Sequence, residues 1–382
     1  MNIFNLLMRH NPRAVIVALL IPVLFTAGGC AVSSAAVGRT GAPTTMTALD
    51  SIFGAYDHPN VPGAGVLVIR DGRVVASRSY GLADLGNRTP AGERTNYRLA
   101  SLSKQFTAAA IMLLVRDGRL NYDDRVVDLL PGLPAHARDV RVRHLLTHTS
   151  GLWDYEDFVP DSQTVQLKDR DVLASLPRAD SLYFAPGSAY RYSNTGYALL
   201  ALIAERVSGQ SFARFLHDRI FVPAGMSATV AYEAGISSVP DRAFGYTVRG
   251  SGTTPSDQSS TSAVLGDGGI YSSIHDLVAW DRALDAGTVL RREELRDAWT
   301  PMTLTNGTVT RYGFGWFVDR ENGTLKLSHH GETSGFTNFI LKYPERRLTV
   351  IVLTNRRGGA PWDLAARVAA LPEFGGESTR RE

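Results

Sequence analysis

One cysteine, Cys30, stands among 382 residues, and its solitude excludes an intramolecular disulfide. Lysine is also scarce: Lys104, Lys168, Lys326 and Lys342 are its only occurrences, and arginine makes up the rest of the 40 cationic side chains. No basic run and no basic patch interleaved with aromatics is present, so the signature of a nucleic-acid partner is missing. Three catalytic patterns are absent as well. Without a G-x-S-x-G elbow the chain does not read as an α/β-hydrolase. His144 and His148 are four apart, but Leu145 stands where a zinc protease needs Glu, which leaves them as packed helix residues. Without a G-x-x-x-x-G-K loop there is no cradle for nucleotide phosphates. No metal or organic cofactor is implied.

The remaining composition suits a globular body. With 44% hydrophobic and 20% charged residues the chain can bury a large core, and 36 glycines with 18 prolines imply many turns. The length would hold two average domains, or one enzyme with a helical lobe and a sheet lobe. The first segment is read apart from the fold. Arg9 and Arg13 precede an apolar run, Ala14 to Phe25 (AVIVALLIPVLF), that falls short of the ~20 residues of a spanning helix, so residues 1–29 are expected to be a signal peptide. The run ends in TAGGC, and small residues before a lone cysteine resemble a bacterial lipobox, although Ala27 stands where Leu is expected. Cys30 would then carry lipid and tie the protein to a membrane, with residues 30–46 as a tether. The competing reading is cleavage a few residues later, near Ser33–Ala36. Once Arg9 and Arg13 leave, Lys and Arg outnumber the 37 Asp and Glu by one, and net charge points to no partner.

The folded body is expected over 47–372, with 373–382 as a flexible tail. GAGVLVIRDGRVVASRSYGLAD, Gly63 to Asp84, is two β-rich runs around Asp71-Gly72, a hairpin signal. Three or four further strands and a closing helix are expected at the far end, from Gly313 onward. Helical periodicity fills the middle: from Ser103 to Gly118, near Val140–Gly151, over Asn194–Gly209, Ser211–Gly225 and Ser272–Gly287, with Ser273 as a cap. Arg249–Ala263 reads as a polar loop bordering a cleft. Strands at both ends with helices between them predict one antiparallel sheet completed by both chain ends, an α/β fold of α+β type.

Ser101 and Lys104 stand one helical turn apart, so hydroxyl and amine share a face. A serine at a helix start is more often a cap. Yet a chain that defaults to arginine places lysine here, and an amine can lose the proton that a guanidinium keeps, as a general base must. Backbone N–H groups at a helix start also favour a developing oxyanion. In Tyr192-Ser193-Asn194 the phenol and the amide lie on one side of an extended segment; read alone, Tyr192 packs and Asn194 caps a helix. His329-His330-Gly331 ends a β-like run, where adjacent side chains point to opposite faces and so do not make one metal site.

In this order, Ser101-Leu102-Ser103-Lys104, Tyr192-Ser193-Asn194 and His329-His330-Gly331 resemble the three signatures of the penicillin-recognising serine hydrolases. The branch is that of class C β-lactamases, serine D-Ala-D-Ala carboxypeptidases, D-aminopeptidases and related esterases. HLLTHTSGL, FAPGSAYRYSNTGY and GDGGIYSSIHDLVAW extend the likeness over about residues 48 to 371. It implies a β-lactamase/transpeptidase-like fold and an acyl-enzyme on Ser101, with Lys104 taking the serine proton. It also implies that Tyr192 is a second base that protonates the leaving group, and that Asn194 orients Lys104 and substrate. The backbone N–H groups of Ser101 and Glu332 would form the oxyanion hole. His329 would sit, with Gly331, where a Lys-Thr-Gly motif often places lysine, binding a substrate carboxylate with a charge that fades as pH rises. The implied substrate is a small molecule or short peptide, a D-amino-acid amide before a β-lactam or an ester. A non-catalytic penicillin-binding sensor is the reading from another class.

Overall fold

The computed structural model describes residues 43–250 and 252–374. The expected signal peptide, the Cys30 expected to carry lipid, the expected tether as far as residue 42, and the expected tail from 375 lie outside the described residues. Helix α1, Pro43–Ile52, opens the body, so the last four residues expected in the tether are helical and strands do not come first. At the other end Phe374 is buried, and the packed chain extends two residues into the expected tail.

Six strands form the main sheet: β1 Ala64–Arg70, β2 Arg73–Tyr80, β3 Phe317–Glu321, β4 Thr324–Thr333, β5 Phe336–Tyr343 and β6 Leu348–Thr354. Their order is β3-β4-β5-β6-β1-β2, antiparallel throughout, with β1 from the N-terminal part pairing β6 from the C-terminal part. Asp71 and Gly72 both take positive φ, +51° and +73°, as the two-residue turn between β1 and β2 requires.

The sheet is covered on both faces, so its central strands are apolar on both. Val66, Val68, Val350 and Val352 pack with Leu49 of α1, with Phe53 just beyond it, and with Val368 of α7, Pro361–Ala369. Their neighbours Leu67, Ile69, Ile351 and Leu353 join the larger core with Phe106, Ile274 and Trp280. Each such side chain contributes ~1.5–3 kcal/mol on burial. An exposed ion pair such as Arg125–Asp128 contributes ~0–1 kcal/mol, so burial decides where the sheet sits.

The helices of the larger core are α2 Lys104–Arg116, α3 Val142–Leu146, α4 Asn194–Ser208, α5 Leu265–Gly268 and α6 Ile274–Ala286. Ser273 caps α6, its hydroxyl accepting the Asp276 N–H. Gly209 ends α4 with φ +74°. Two expectations are corrected. Arg249–Ala263 is not wholly loop, since Gly252–Pro255 pairs with Tyr246–Arg249 as a hairpin. His148 is not a helix residue, because α3 stops at Leu146 and His148 lies beyond it with φ +57°. Among the described residues no helix is long and apolar enough to cross a membrane.

Candidate active site

Ser101 lies not in an α-helix but in a 3-10 turn, Ala100–Ser103, from which α2 continues at Lys104. Neighbouring strands hold the approach to this turn. Tyr97 and Arg98 pair with Ser272 and Tyr271, the Leu99 N–H donates to the Ile270 carbonyl at 2.8 Å, and Asn338 Nδ2 donates to the Arg98 carbonyl at 2.7 Å. Ala100 takes φ +50°, a conformation that costs a non-glycine residue energy and turns the chain sharply before the serine.

Lys104 is 0% exposed, yet its amine is fully engaged. Nζ lies 2.9 Å from Ser101 Oγ, 2.8 Å from Asn194 Oδ1 and 2.8 Å from the Asp267 carbonyl. Two of these partners only accept. A neutral amine has two N–H bonds and one lone pair, so with the N–H bonds spent on Asn194 and Asp267 the lone pair is left for the Ser101 hydroxyl. Burial lowers the Lys104 pKa below the ordinary lysine range, against the opposing pull of Asp267, Asp154 and Glu156. The Asp267 carboxyl is raised by its own burial and accepts from the Tyr155 hydroxyl at 2.9 Å.

Asn194 is the first residue of α4. Its N–H donates to Asp154 Oδ2 at 2.6 Å and its Nδ2 to Glu156 Oε1 at 3.2 Å, which turns Oδ1 towards Lys104. Two residues earlier, the Tyr192 ring lies 5.2 Å from Lys104 Nζ. Its hydroxyl is buried without a hydrogen-bond partner among the described residues. Burial raises the phenol pKa, and the nearby Ser101 hydroxyl offsets only part of that rise. Burial thus shifts both groups towards their neutral forms, bringing the Lys104 amine to about 8 and raising the phenol, so that the amine can take a proton and the phenol can give one.

Strand β4 forms the opposite wall. It outruns β3, whose pairing stops at Ser328, so residues 329–333 present an open edge to the serine turn. Around the two-residue turn at Asn322-Gly323 the ladder alternates, and Glu332 falls in the set whose N–H faces that edge. Glu332 lines the cleft together with Arg98, Ser101, Tyr155, Glu156 and Asn194. Gly331 lets the walls meet: a Cβ there would lie 2.2 Å from the Leu99 carbonyl and 3.2 Å from the Ser101 nitrogen. The backbone that approaches this glycine closely is the protein's own.

His329 corrects the expectation of a charged contact to substrate carboxylate. It is 0% exposed and is not part of the cleft wall. Nδ1 donates to the His330 carbonyl at 2.6 Å, and Nε2 accepts from the Tyr312 hydroxyl at 2.8 Å. Burial, then Lys104, pushes the imidazole pKa well below its usual value, so the ring stays neutral and inside. Ser101, Lys104, Tyr192 and Asn194 therefore converge, Glu332 faces them, Gly331 spaces the walls, and His329 supports from behind.

Sequence reasoning missed Asp154, Tyr155, Glu156 and Asp267. Acids crowded into WDYED and an acid flanked by glycines in GDGG were the available signals, since neither is a favourable core composition without a buried cation.

A family model described as Beta-lactamase matches residues 49–372. Penicillin-binding protein 4* of Bacillus subtilis (strain 168) is 34% identical over 340 residues, covering 84% of this chain and 74% of the relative. D-aminopeptidase of Cereibacter sphaeroides (strain ATCC 17023) is 31% identical over 332 residues, and there the chain spans only 63% of the relative's length. Among solved structures, D-amino acid amidase from Ochrobactrum anthropi SV3 complexed with L-phenylalanine superposes with a TM-score of 0.73 at 25% identity, covering 86% of this chain and 99% of that one.

Proposed function

Since the chain belongs to the beta-lactamase family, whose members here include serine hydrolases, we propose that it hydrolyses D-aminoacyl amide or peptide bonds through an acyl-enzyme on Ser101. The observation that carries this reading is the buried Lys104 amine, 2.9 Å from Ser101 Oγ and held by two acceptors that direct its lone pair to the serine.

Ser101 Oγ attacks the substrate carbonyl while its proton passes to Lys104 Nζ. The Ser101 and Glu332 N–H groups receive the oxyanion, stabilisation that typically amounts to ~10²–10³ in rate for one donor. As the C–N bond breaks, the neutral phenol of Tyr192 protonates the leaving amine and recovers a proton from Lys104. Water then attacks the ester, and the same groups run in reverse.

The charges around the cleft favour a substrate with a free amine. Glu156 offers an exposed carboxylate beside Asn194, whereas the cation of the cleft wall, Arg98, spends Nη1 and Nη2 on Gln258 and Ser262. His329 adds no charge. A D-aminopeptidase-like reaction therefore fits better than recognition of the carboxylate shared by penicillins and D-Ala-D-Ala peptides. The proposal includes export and a lipid anchor at Cys30, supported by the leader and the lone cysteine.

Intact-mass analysis and turnover with D-alanyl p-nitroanilide, a D-Ala-D-Ala peptide, penicillin and a p-nitrophenyl ester test this reading. The anilide is expected to turn over fastest, Ser101→Ala to abolish every adduct, and Lys104→Arg to lower kcat/KM ~10³-fold. Adducts that survive in Ser101→Ala would overturn it. Penicillin turning over faster than the anilide would instead make the protein a β-lactamase in the strict sense.

A further inference from the structure

His148 belongs to none of the roles above, yet it touches the backbone on both sides of Tyr192. The Arg191 N–H donates to the His148 carbonyl at 3.0 Å, and the Ser193 N–H donates to His148 Nδ1 at 3.2 Å. Between these two hydrogen bonds the imidazole packs on the phenol ring, with centroids 4.2 Å apart. One residue reaches both flanks with its carbonyl and its ring while taking φ +57°, a conformation uncommon outside glycine but enriched in asparagine, aspartate and histidine.

We propose that His148 is a positioning residue that clamps the segment carrying Tyr192, its carbonyl holding one flank of the phenol and its ring nitrogen the other. The proposal rests on the reading of Tyr192 as the acid beside Ser101 and Lys104.

The clamp needs a neutral ring, because a protonated Nδ1 would meet the Ser193 N–H as donor against donor. The surroundings supply that state. His148 is buried and packed among Tyr190, Tyr192, Tyr197 and Tyr312. Burial first, then the charges of Lys104 and His329, hold its pKa well below the ordinary histidine value. The Tyr192 hydroxyl makes no hydrogen bond of its own within the described residues, so its place is set by what holds the ring and the flanking backbone. Tyr312, Phe317 and His329 also pack on the ring, whereas the backbone N–H groups on its two flanks, Arg191 and Ser193, both end on His148.

Three variants of the soluble protein separate the parts of the clamp. Asparagine accepts positive φ and keeps an acceptor near the place of Nδ1, phenylalanine keeps the ring and deletes the acceptor, and alanine deletes both. Amide hydrogen exchange reads the clamp without substrate. In His148→Phe the Ser193 amide is expected to exchange ~10-fold faster or more while Arg191 stays protected, and in His148→Asn both stay within ~3-fold of the unsubstituted protein.

Turnover of D-alanyl p-nitroanilide reads the consequence. In the Phe and Ala variants kcat is expected to fall ~10²-fold with KM within ~3-fold, and Asn to recover most of the loss. Thermal melting confirms folding; should His148→Ala fail to fold, the Phe and Asn variants decide. Unchanged exchange and kcat in folded His148→Phe would overturn the clamp, as would an Asn variant as impaired as Phe. An unsubstituted protein inert to all four probes, with the exchange pattern intact, would defeat the hydrolase reading and any positioning role with it.

Discussion

At the scale of single residues, chemistry here depends on which atoms a side chain leaves free. In the proposed reaction Lys104 is the base, since two of its three partners can only accept, and Tyr192 the acid, since burial disfavours its anion. Gly331 matters for the side chain it lacks. Gly331→Ala would drive a Cβ against the Leu99 carbonyl and crowd the Ser101 N–H. The strand must back away, so kcat/KM for a p-nitrophenyl ester is expected to fall ~10²-fold or more through loss of oxyanion geometry. Stability is expected to drop by only ~1–3 kcal/mol, the usual cost of overpacking. Wild-type turnover by the folded variant would show that the walls need not meet there. The Ser-x-x-Lys pair was legible because its partners lie within one turn of chain. The loss of His329 from the substrate was not, since exposure depends on what β3 and Tyr312 place over the strand.

At the scale of elements, the four-residue helix α5 is small but bears on the site through Asp267. Its first N–H groups are held by Asp169, whose carboxylate accepts from Leu265 and Gly266, both at 2.9 Å. Thr107 of α2 donates to the Gly266 carbonyl at 2.7 Å, so α5 is fixed from two sides where Asp267 meets Lys104. Burial pushes the Asp169 carboxyl up to about 7, whereas in the unfolded chain it loses its proton near ~3.9. Between those values the folded state binds a proton that the unfolded state has released. Asp169 therefore makes stability fall as pH rises from about 4 to 7, with no further change above. Asp169→Asn removes that slope. The melting temperature of wild type minus that of the variant is expected to be lower at pH 8 than at pH 5, and a difference that stays flat with pH would show that the carboxyl titrates normally.

At the scale of the whole molecule, residues 31–42 separate Cys30 from Pro43, the first described residue. If Cys30 carries lipid, Cys30→Ser is expected to move the protein from the detergent phase to the aqueous phase on extraction from cells, with kcat per folded molecule unchanged. Persistence of the serine variant in the detergent phase would rule out lipid at this thiol as the anchor. An unchanged kcat is expected because every group of the candidate site lies between Arg98 and Thr333, far along the chain from Cys30.

By itself the sequence determined the elements whose causes are local or periodic. The Asp71-Gly72 turn follows from positive φ, helix α6 from its Ser273 cap, and the placing of Ser101 beside Lys104 from a single turn of chain. The three separated motifs were enough to identify the family. Tertiary structure alone decided which carboxylates surround the amine, that the His329 imidazole faces inward and neutral, and that His148 brackets Tyr192. Those outcomes depend on desolvation and on partners far away in the chain. A residue's type and its neighbours in sequence state neither how deeply it will be buried nor which distant acceptor will meet it.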